Sequence, residues 1–164
     1  MPCGAAFAEG AVISFAVDDE TAEDLTWALA LVDDEILPIE QLVVSPFDRN
    51  DPVRNALIPP LQDAVKARGL WATHLAPELG GRGFDQVELA LLNEVLGRSL
   101  FAPVVFGSTA PDTGNAEILV HYGSPEQRAR YLGPLVDGLI YSGFSMTEPQ
   151  GGSDPEQFTT VAQR

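Results

Sequence analysis

Ile140-Tyr141-Ser142-Gly143-Phe144-Ser145-Met146-Thr147-Glu148-Pro149-Gln150-Gly151-Gly152-Ser153-Asp154 is the stretch at which the period of this chain changes. Upstream, apolar residues recur at helical spacing. Residues 140–146 read instead as a strand. The run then breaks into a turn holding Pro149 and the adjacent Gly151 and Gly152, and presents a hydroxyl and a carboxylate at Ser153 and Asp154. Glycine lacks the Cβ that would keep a ligand off the backbone, so the turn suits close approach of a bound group. A second strand is predicted over residues 157–162. Two strands carry too little hydrophobic face to be stable alone. The expected fold class is mainly α, a helical bundle followed by one or two strands of a truncated β-domain. Residues 1–18 then form an arm of weak structural signal, 19–138 the helical domain, and 139–164 the beginning of the β-domain. A ligand seated on the turn would be only partly enclosed.

The helices can be placed from their stripes and their ends. Leu25, Ala28, Leu29, Val32 and Ile36 fall on one face from Thr21 onward, and Pro38 is expected to end that helix. A loop follows, from Glu40 to about Asp51. Pro59-Pro60 is expected to lie outside any helix interior, with Pro60 opening a helix that carries Leu61, Ala64 and Val65 and closes at Gly69. Residues 75–84 form a loop with Pro77 and Gly80-Gly81-Arg82-Gly83. Without a following Lys-Ser/Thr pair, that glycine cluster reads as a helix-linking loop rather than a phosphate loop. Asp85 with Glu88 forms a capping box ahead of Val87, Leu91, Leu92, Val95 and Leu96. Residues 116–122 read as a helix stopped by Gly123. Ser124-Pro125-Glu126-Gln127 starts another, running to about Leu132, with a further short turn at Leu135-Val136.

Composition narrows the function. The 164 residues are 45% apolar and carry 9 basic against 24 acidic side chains, a net charge of −15. That balance argues against nucleic acid, since phosphate binding needs clustered Lys and Arg. The acidic runs at residues 18–24 and 33–35 read as solvated helix faces and helix starts. No stretch approaches the roughly 18 apolar residues of a membrane helix. The apolar run over residues 5–17 contains Glu9 and lacks a basic leader, so no signal peptide is expected. Cys3 is the only cysteine, which excludes an internal disulfide and a multi-cysteine metal site and fits a reducing, cytoplasmic setting. His74 and His121 are far apart and make a poor metal site. Trp27 and Trp71 read as core or helix-packing residues.

Several short motifs, in order, bring a family into view. Gly69-Leu70-Trp71 with Pro77-Glu78-Leu79-Gly80-Gly81-Arg82-Gly83 resembles the loop between the second and third helices of acyl-CoA dehydrogenases. Leu92-Asn93-Glu94-Val95-Leu96-Gly97-Arg98-Ser99 resembles the helix that comes next. Tyr122-Gly123-Ser124-Pro125-Glu126-Gln127, with Tyr131-Leu132 and Pro134-Leu135, is similar to the family's "YG-x-x-EQ…YL-x-PL" stretch. Residues 144–154 resemble its flavin-contacting motif, F/Y-x-x-TEP-x-x-GSD. Ala110-Pro111-Asp112-Thr113-Gly114-Asn115 resembles a branch with an "APDTGN" segment. The likeness spans residues 20–164, about the first two-fifths of a full-length member.

The resemblance implies a flavoprotein that binds FAD, with Phe144, Met146, Thr147, Gly152 and Ser153 at the cofactor and Ser153 also near the acyl-CoA substrate. The Thr147 hydroxyl would bond the flavin edge, Met146 would pack on ring and substrate, and Gly152 would permit close approach. From the residues alone, Thr147-Glu148-Pro149 reads as a strand-ending turn. The residues 110–115 either line the acyl pocket or cap the helix after them. The family removes two hydrogens across the α and β carbons of an acyl thioester and passes electrons to an electron-transfer flavoprotein, often as a homo-oligomer or heteromer. Its catalytic base lies outside the matching region, and Glu148, beside a proline turn, reads as solvated or capping; no catalytic residue is nominated. The chain by itself is expected to be inactive and to bind FAD weakly or not at all. The alternatives are a non-catalytic helical interaction module or half-subunit that needs a partner chain, and a plain acidic helical bundle whose motif matches are accidental.

Overall fold

The computed structural model describes residues 16–161 and residue 163. Cys3, most of the expected arm over 1–18, the apolar run up to residue 15, and Ala162 lie outside the described residues. The structure is mainly helical, and it divides into two compact units, Met1–Ser108 and Thr109–Arg164.

In the first unit, α1 (Asp19–Leu31) starts at Asp18, whose carboxylate accepts from the Thr21 amide at 2.7 Å. That bond and the Thr21 hydroxyl hold the Asp18 carboxyl below its ordinary pKa. The helix widens to a π turn over Val32–Ile36, closed by the Leu37 amide on the Val32 carbonyl, and finishes as α2 (Leu37–Ile39). Pro38 therefore does not end the helix; it stops at the next residue. Proline lacks an N–H and its ring crowds the carbonyl one turn back, and a widened turn placed just before it relieves both problems. Ala28, Val32 and Ile36 are fully buried, as the stripe requires, while Leu29 is exposed.

The second helix also corrects the sequence reading. It is α3 (Pro52–Arg68), capped by Asp51, and it runs through Pro59 and Pro60. The Asp51 carboxylate accepts from the Val53 amide at 2.8 Å, and Pro52 takes the first position, where a missing N–H costs nothing. The interior prolines are tolerated because the helix is fixed by packing on both sides of them. Ile58 and Val65 are fully buried, and the buried Arg54 donates from Nε to the Pro46 carbonyl at 2.8 Å. Gly69 ends α3 as expected, at φ 77°, with its own amide on Lys66 and the Leu70 amide on Val65, each at 3.0 Å.

Residues 70–84 form a compact loop, with a 3-10 turn at Pro77–Leu79. Gly83 and Phe84 donate back to Leu75 and Thr73 at 2.8 and 3.0 Å. Arg82 bridges to Asp24 and Glu20, each at 2.7 Å, and Arg68 reaches the same buried Asp24 at 2.7 Å. The glycine cluster is thus a helix-linking loop, pinned to α1 by its arginine. Trp71 is buried, with Gly107 so close that a Cβ there would sit 2.6 Å from the indole. The α4 helix (Gln86–Leu96) opens with the expected capping box between Asp85 and Glu88. Glu88 also accepts from the Thr21 hydroxyl at 3.1 Å, tying α4 to α1. Ser99, whose hydroxyl donates to Glu40, accepts from the Phe101 and Ala102 amides at the start of the short α5 (Ala102–Val105), which Gln62 holds to α3 through the Val104 carbonyl at 3.0 Å.

In the second unit, α6 (Asp112–Tyr122) comes after a cis peptide at Ala110-Pro111. Ser124 and Gln127 make the expected capping box for α7 (Pro125–Gln127). The helix then continues through a π turn at Arg128–Leu132 into α8 (Gly133–Val136), instead of stopping at Leu132. This π turn again precedes a proline, Pro134. The two strands expected over 140–146 and 157–162 are not formed among the described residues. Residues 143–147 are non-helical and outside any ladder, the one bridge among the described residues joins Glu148 to Gly151, and Pro155–Gln157 is a 3-10 turn. A β-prone segment becomes a strand only when a neighbouring strand pairs with it in a ladder, and among the described residues neither segment has one. Among the described residues no helix is long and apolar enough to cross a membrane.

Candidate functional site

The segment from Leu139 to Thr160 lies wholly within the second unit and is held at defined points. Leu139 and Ile140 donate to the Pro134 carbonyl at 2.8 and 3.3 Å, which turns the chain sharply out of α8. Ser142 is then gripped by the first turn of α6. Its amide and its hydroxyl both donate to Asp112 Oδ1, at 2.7 and 2.6 Å, and Asn115 Nδ2 donates to Ser142 Oγ at 2.8 Å. Thr109 Oγ1 occupies the other Asp112 oxygen at 3.2 Å. The α6 N-cap position, Pro111, offers no side-chain cap. Asp112 Oδ1 and the Asn115 side-chain amide are therefore both directed at residue 142.

Beyond Gly143 the backbone is free until Glu148, where the turn closes by reciprocal amide bonds between Glu148 and Gly151 at 3.1 and 3.0 Å. The Glu148 carboxylate reaches across to the end of the segment. Oε2 accepts from the Thr159 amide and hydroxyl at 2.8 and 3.1 Å, and Oε1 accepts from the Thr160 amide at 2.9 Å. The Gln150 side-chain amide also donates to it. These bonds, the Thr160 side chain first and then the Thr159 and Thr160 amides, pull the Glu148 carboxyl down to about 2 against a small opposing effect of burial. Asp154 caps the 3-10 turn, accepting from the Glu156 amide at 3.1 Å and from Gln157 Nε2 at 3.0 Å.

This geometry distributes the residues singled out in the sequence. Phe144 and Met146 are 61% and 49% exposed, and both line a shallow depression of about 380 Å³ with Gly143, Ser145, Glu148, Phe158 and Thr160. Thr147, Gly152 and Ser153 lie on the adjoining turn and do not line it. A Cβ on Gly152 would sit 2.9 Å from Thr147 Oγ1 and Cγ2. The bare Cα at 152 thus makes room for the Thr147 side chain. Ser153 is exposed. Phe158 and Thr160 join the depression by virtue of the Glu148 clamp, a contact between distant residues that no local pattern announces. Asp112 and Asn115 were visible as a motif, but Ser142, the residue they hold, carried no signal. His121 is exposed and lies against Tyr122, ring centroids 6.1 Å apart.

The helical order and this segment can now be set beside known proteins. Residues 26–139 match the acyl-CoA dehydrogenase N-terminal domain. The chain belongs to the acyl-CoA dehydrogenase family. It is 45% identical over 130 residues to acyl-CoA dehydrogenase family member 10 of Mus musculus, covering 74% of this chain and 12% of that protein. It is 38% identical over 144 residues to acyl-CoA dehydrogenase family member 11 of Rattus norvegicus, covering 85% of this chain and 18% of that protein. A solved structure from Mycobacterium abscessus, assigned to the acyl-CoA dehydrogenases, superposes with a TM-score of 0.70 at 40% identity, over 88% of this chain and 38% of that one. The chain thus spans less than a fifth of the length of these two relatives. The matched N-terminal domain covers residues 26–139, and the segment with Phe144 and Met146 lies just beyond it.

Proposed function

We propose that this chain supplies the N-terminal helical domain, residues 19–138, and one cofactor-facing segment of an FAD-dependent acyl-CoA dehydrogenase. The observation that carries the reading is the exposure of Phe144 and Met146 in one depression, on a segment fixed at both ends by carboxylates. Apolar side chains that line a concave surface, beside exposed hydroxyls at Thr147 and Ser153, fit the edge of a planar cofactor and its polar tail. The space where a Cβ of Gly152 would stand is taken by Thr147, and close approach of the cofactor to the backbone at this glycine is part of the proposal. FAD held at this segment would supply the hydride acceptor for oxidation of an acyl-CoA. The chain's own residues bind and orient: Phe144 and Met146 offer apolar contact, Thr147 a hydrogen bond to the ring edge, and Ser153 a hydrogen bond to phosphate or acyl-CoA.

None of these residues takes the α proton. A general base must take up a proton readily near neutral pH and reach the carbon it serves. Glu148 fails the first requirement, with its pKa lowered to about 2, and both of its oxygens are engaged. The base, the trans-2-enoyl product, transfer of electrons to an electron-transfer flavoprotein and assembly into an oligomer belong to the polypeptide that completes the site. The direct test is an assay of the purified chain with FAD, an acyl-CoA and an artificial electron acceptor. No turnover and no flavin absorbance retained through gel filtration are expected. Stoichiometric FAD with turnover would overturn the reading. A second reading, a helical half-subunit needing a partner chain, draws on the exposed Leu139, Phe144, Met146 and Val161. Size-exclusion of the chain with and without a candidate partner separates the two.

A further inference from the structure

We infer that Asp112 is a positioning residue for the cofactor-facing segment: with Asn115 it clamps Ser142 and so sets where Phe144 and Met146 stand. The inference rests on the flavin reading of residues 144–153 and adds to it a device on a different element. Residues 143–147 have no ladder partner, and Gly143 has open space around it. An extended run of that kind samples many conformations unless its ends are tied. At the far end the tie is Glu148 to Thr159 and Thr160. At the near end it is Asp112, which takes both donors of Ser142 on one oxygen at 2.7 and 2.6 Å.

The near tie is strong for identifiable reasons. Hydrogen bonds to an ionised carboxylate are short and about twice as strong as neutral ones. Asp112 also sits in the first turn of α6, where the helix favours a negative charge. Asn115, in the same first turns of α6, donates to Ser142 Oγ at 2.8 Å, so the hydroxyl is oriented to give its proton to Asp112. Thr109 holds the second Asp112 oxygen at 3.2 Å and keeps the carboxylate from rotating. Asp112 and Asn115 of the Ala110-to-Asn115 motif thereby act on the cofactor-facing segment through Ser142.

The test uses the chain labelled with nitrogen-15, with amide exchange over residues 142–147 and FAD-induced shifts over 144–153 as readouts. Asp112→Ala is expected to speed exchange at 142–147 and to weaken the FAD-induced shifts about tenfold in apparent affinity. Asp112→Asn keeps one acceptor but loses the charge and the oxygen that Thr109 holds, and is expected to restore both in part, to values between those of Asp112→Ala and the wild type. Glu117→Ala, on the exposed face of α6, is expected to change neither. If Asp112→Ala unfolds, Ser142→Ala removes the hydroxyl bonds from the segment itself and is expected to give the same signs at smaller size. Wild-type exchange and affinity in Asp112→Ala, or no rescue by Asp112→Asn, would overturn the inference. If FAD shifts nothing in the wild-type chain, the flavin reading falls, and the clamp is then decided by exchange alone.

Discussion

Gly81 and Glu148 show how much single residues decide in this chain. A Cβ at Gly81 would lie 2.1 Å from the Leu75 carbonyl oxygen and 2.6 Å from that of Ala72, both backbone atoms that cannot step aside. Gly81→Ala is expected to cost about 2–4 kcal/mol, read as a lower urea midpoint with the same slope. Glu148 acts through charge. Its carboxyl is lowered from 4.5 to about 2 in the folded chain. A depressed carboxyl stabilises the fold fully above its unfolded value and loses that contribution as pH falls. The clamp on Thr159 and Thr160 should therefore hold at neutral pH and release between about 4.5 and about 2. The amide shifts of Thr159 and Thr160 should titrate with a midpoint near the lower end of that window; a midpoint at the ordinary carboxylate value would show that the clamp is not formed.

Elements whose signals are local were legible from the sequence. The capping boxes at Asp85 with Glu88 and at Ser124 with Gln127, and the left-handed Gly69, need only neighbours in sequence, and each stands where it was expected. Proline misled because its penalty is local while its compensation is not. Pro38 and Pro134 each come after a π turn, and Pro59 and Pro60 ride in a helix secured by the buried Ile58 and Arg54. Pro60 is exposed and sits mid-helix, so Pro60→Ala restores a backbone donor at little packing cost. It is expected to raise stability by about 1–2 kcal/mol, the helix gain exceeding the entropy that proline removes from the unfolded chain. Thermal unfolding measures it; a lowered midpoint would mean the prolines are needed where they are. The expected strands failed for a different reason. Alternating β-prone residues state a preference, and only a pairing neighbour makes a ladder.

For the whole molecule, family membership rests on the order of its helices and on residues 26–139, while the cofactor reading rests on the segment from Gly143 to Ser153. That second part was half legible. Phe144 and Met146 stand in one depression, but Gly152 serves Thr147, and the residues that hold the segment, Asp112, Ser142 and Thr160, come from positions far apart in sequence. Contacts of that kind arise on folding and leave no spacing to read. If the segment ending in Ser153 is one wall of a flavin site, FAD at millimolar concentration is expected to perturb it even though the isolated chain binds too weakly to retain flavin through gel filtration. The measurement that addresses this most directly is a nitrogen-15 shift map of the chain titrated with FAD into the millimolar range. Shifts concentrated on Phe144, Met146, Thr147 and Ser153, with the Asp19–Leu31 and Pro52–Arg68 helices unchanged, are the expected result. A map without shifts, or one centred on those helices, would contradict it.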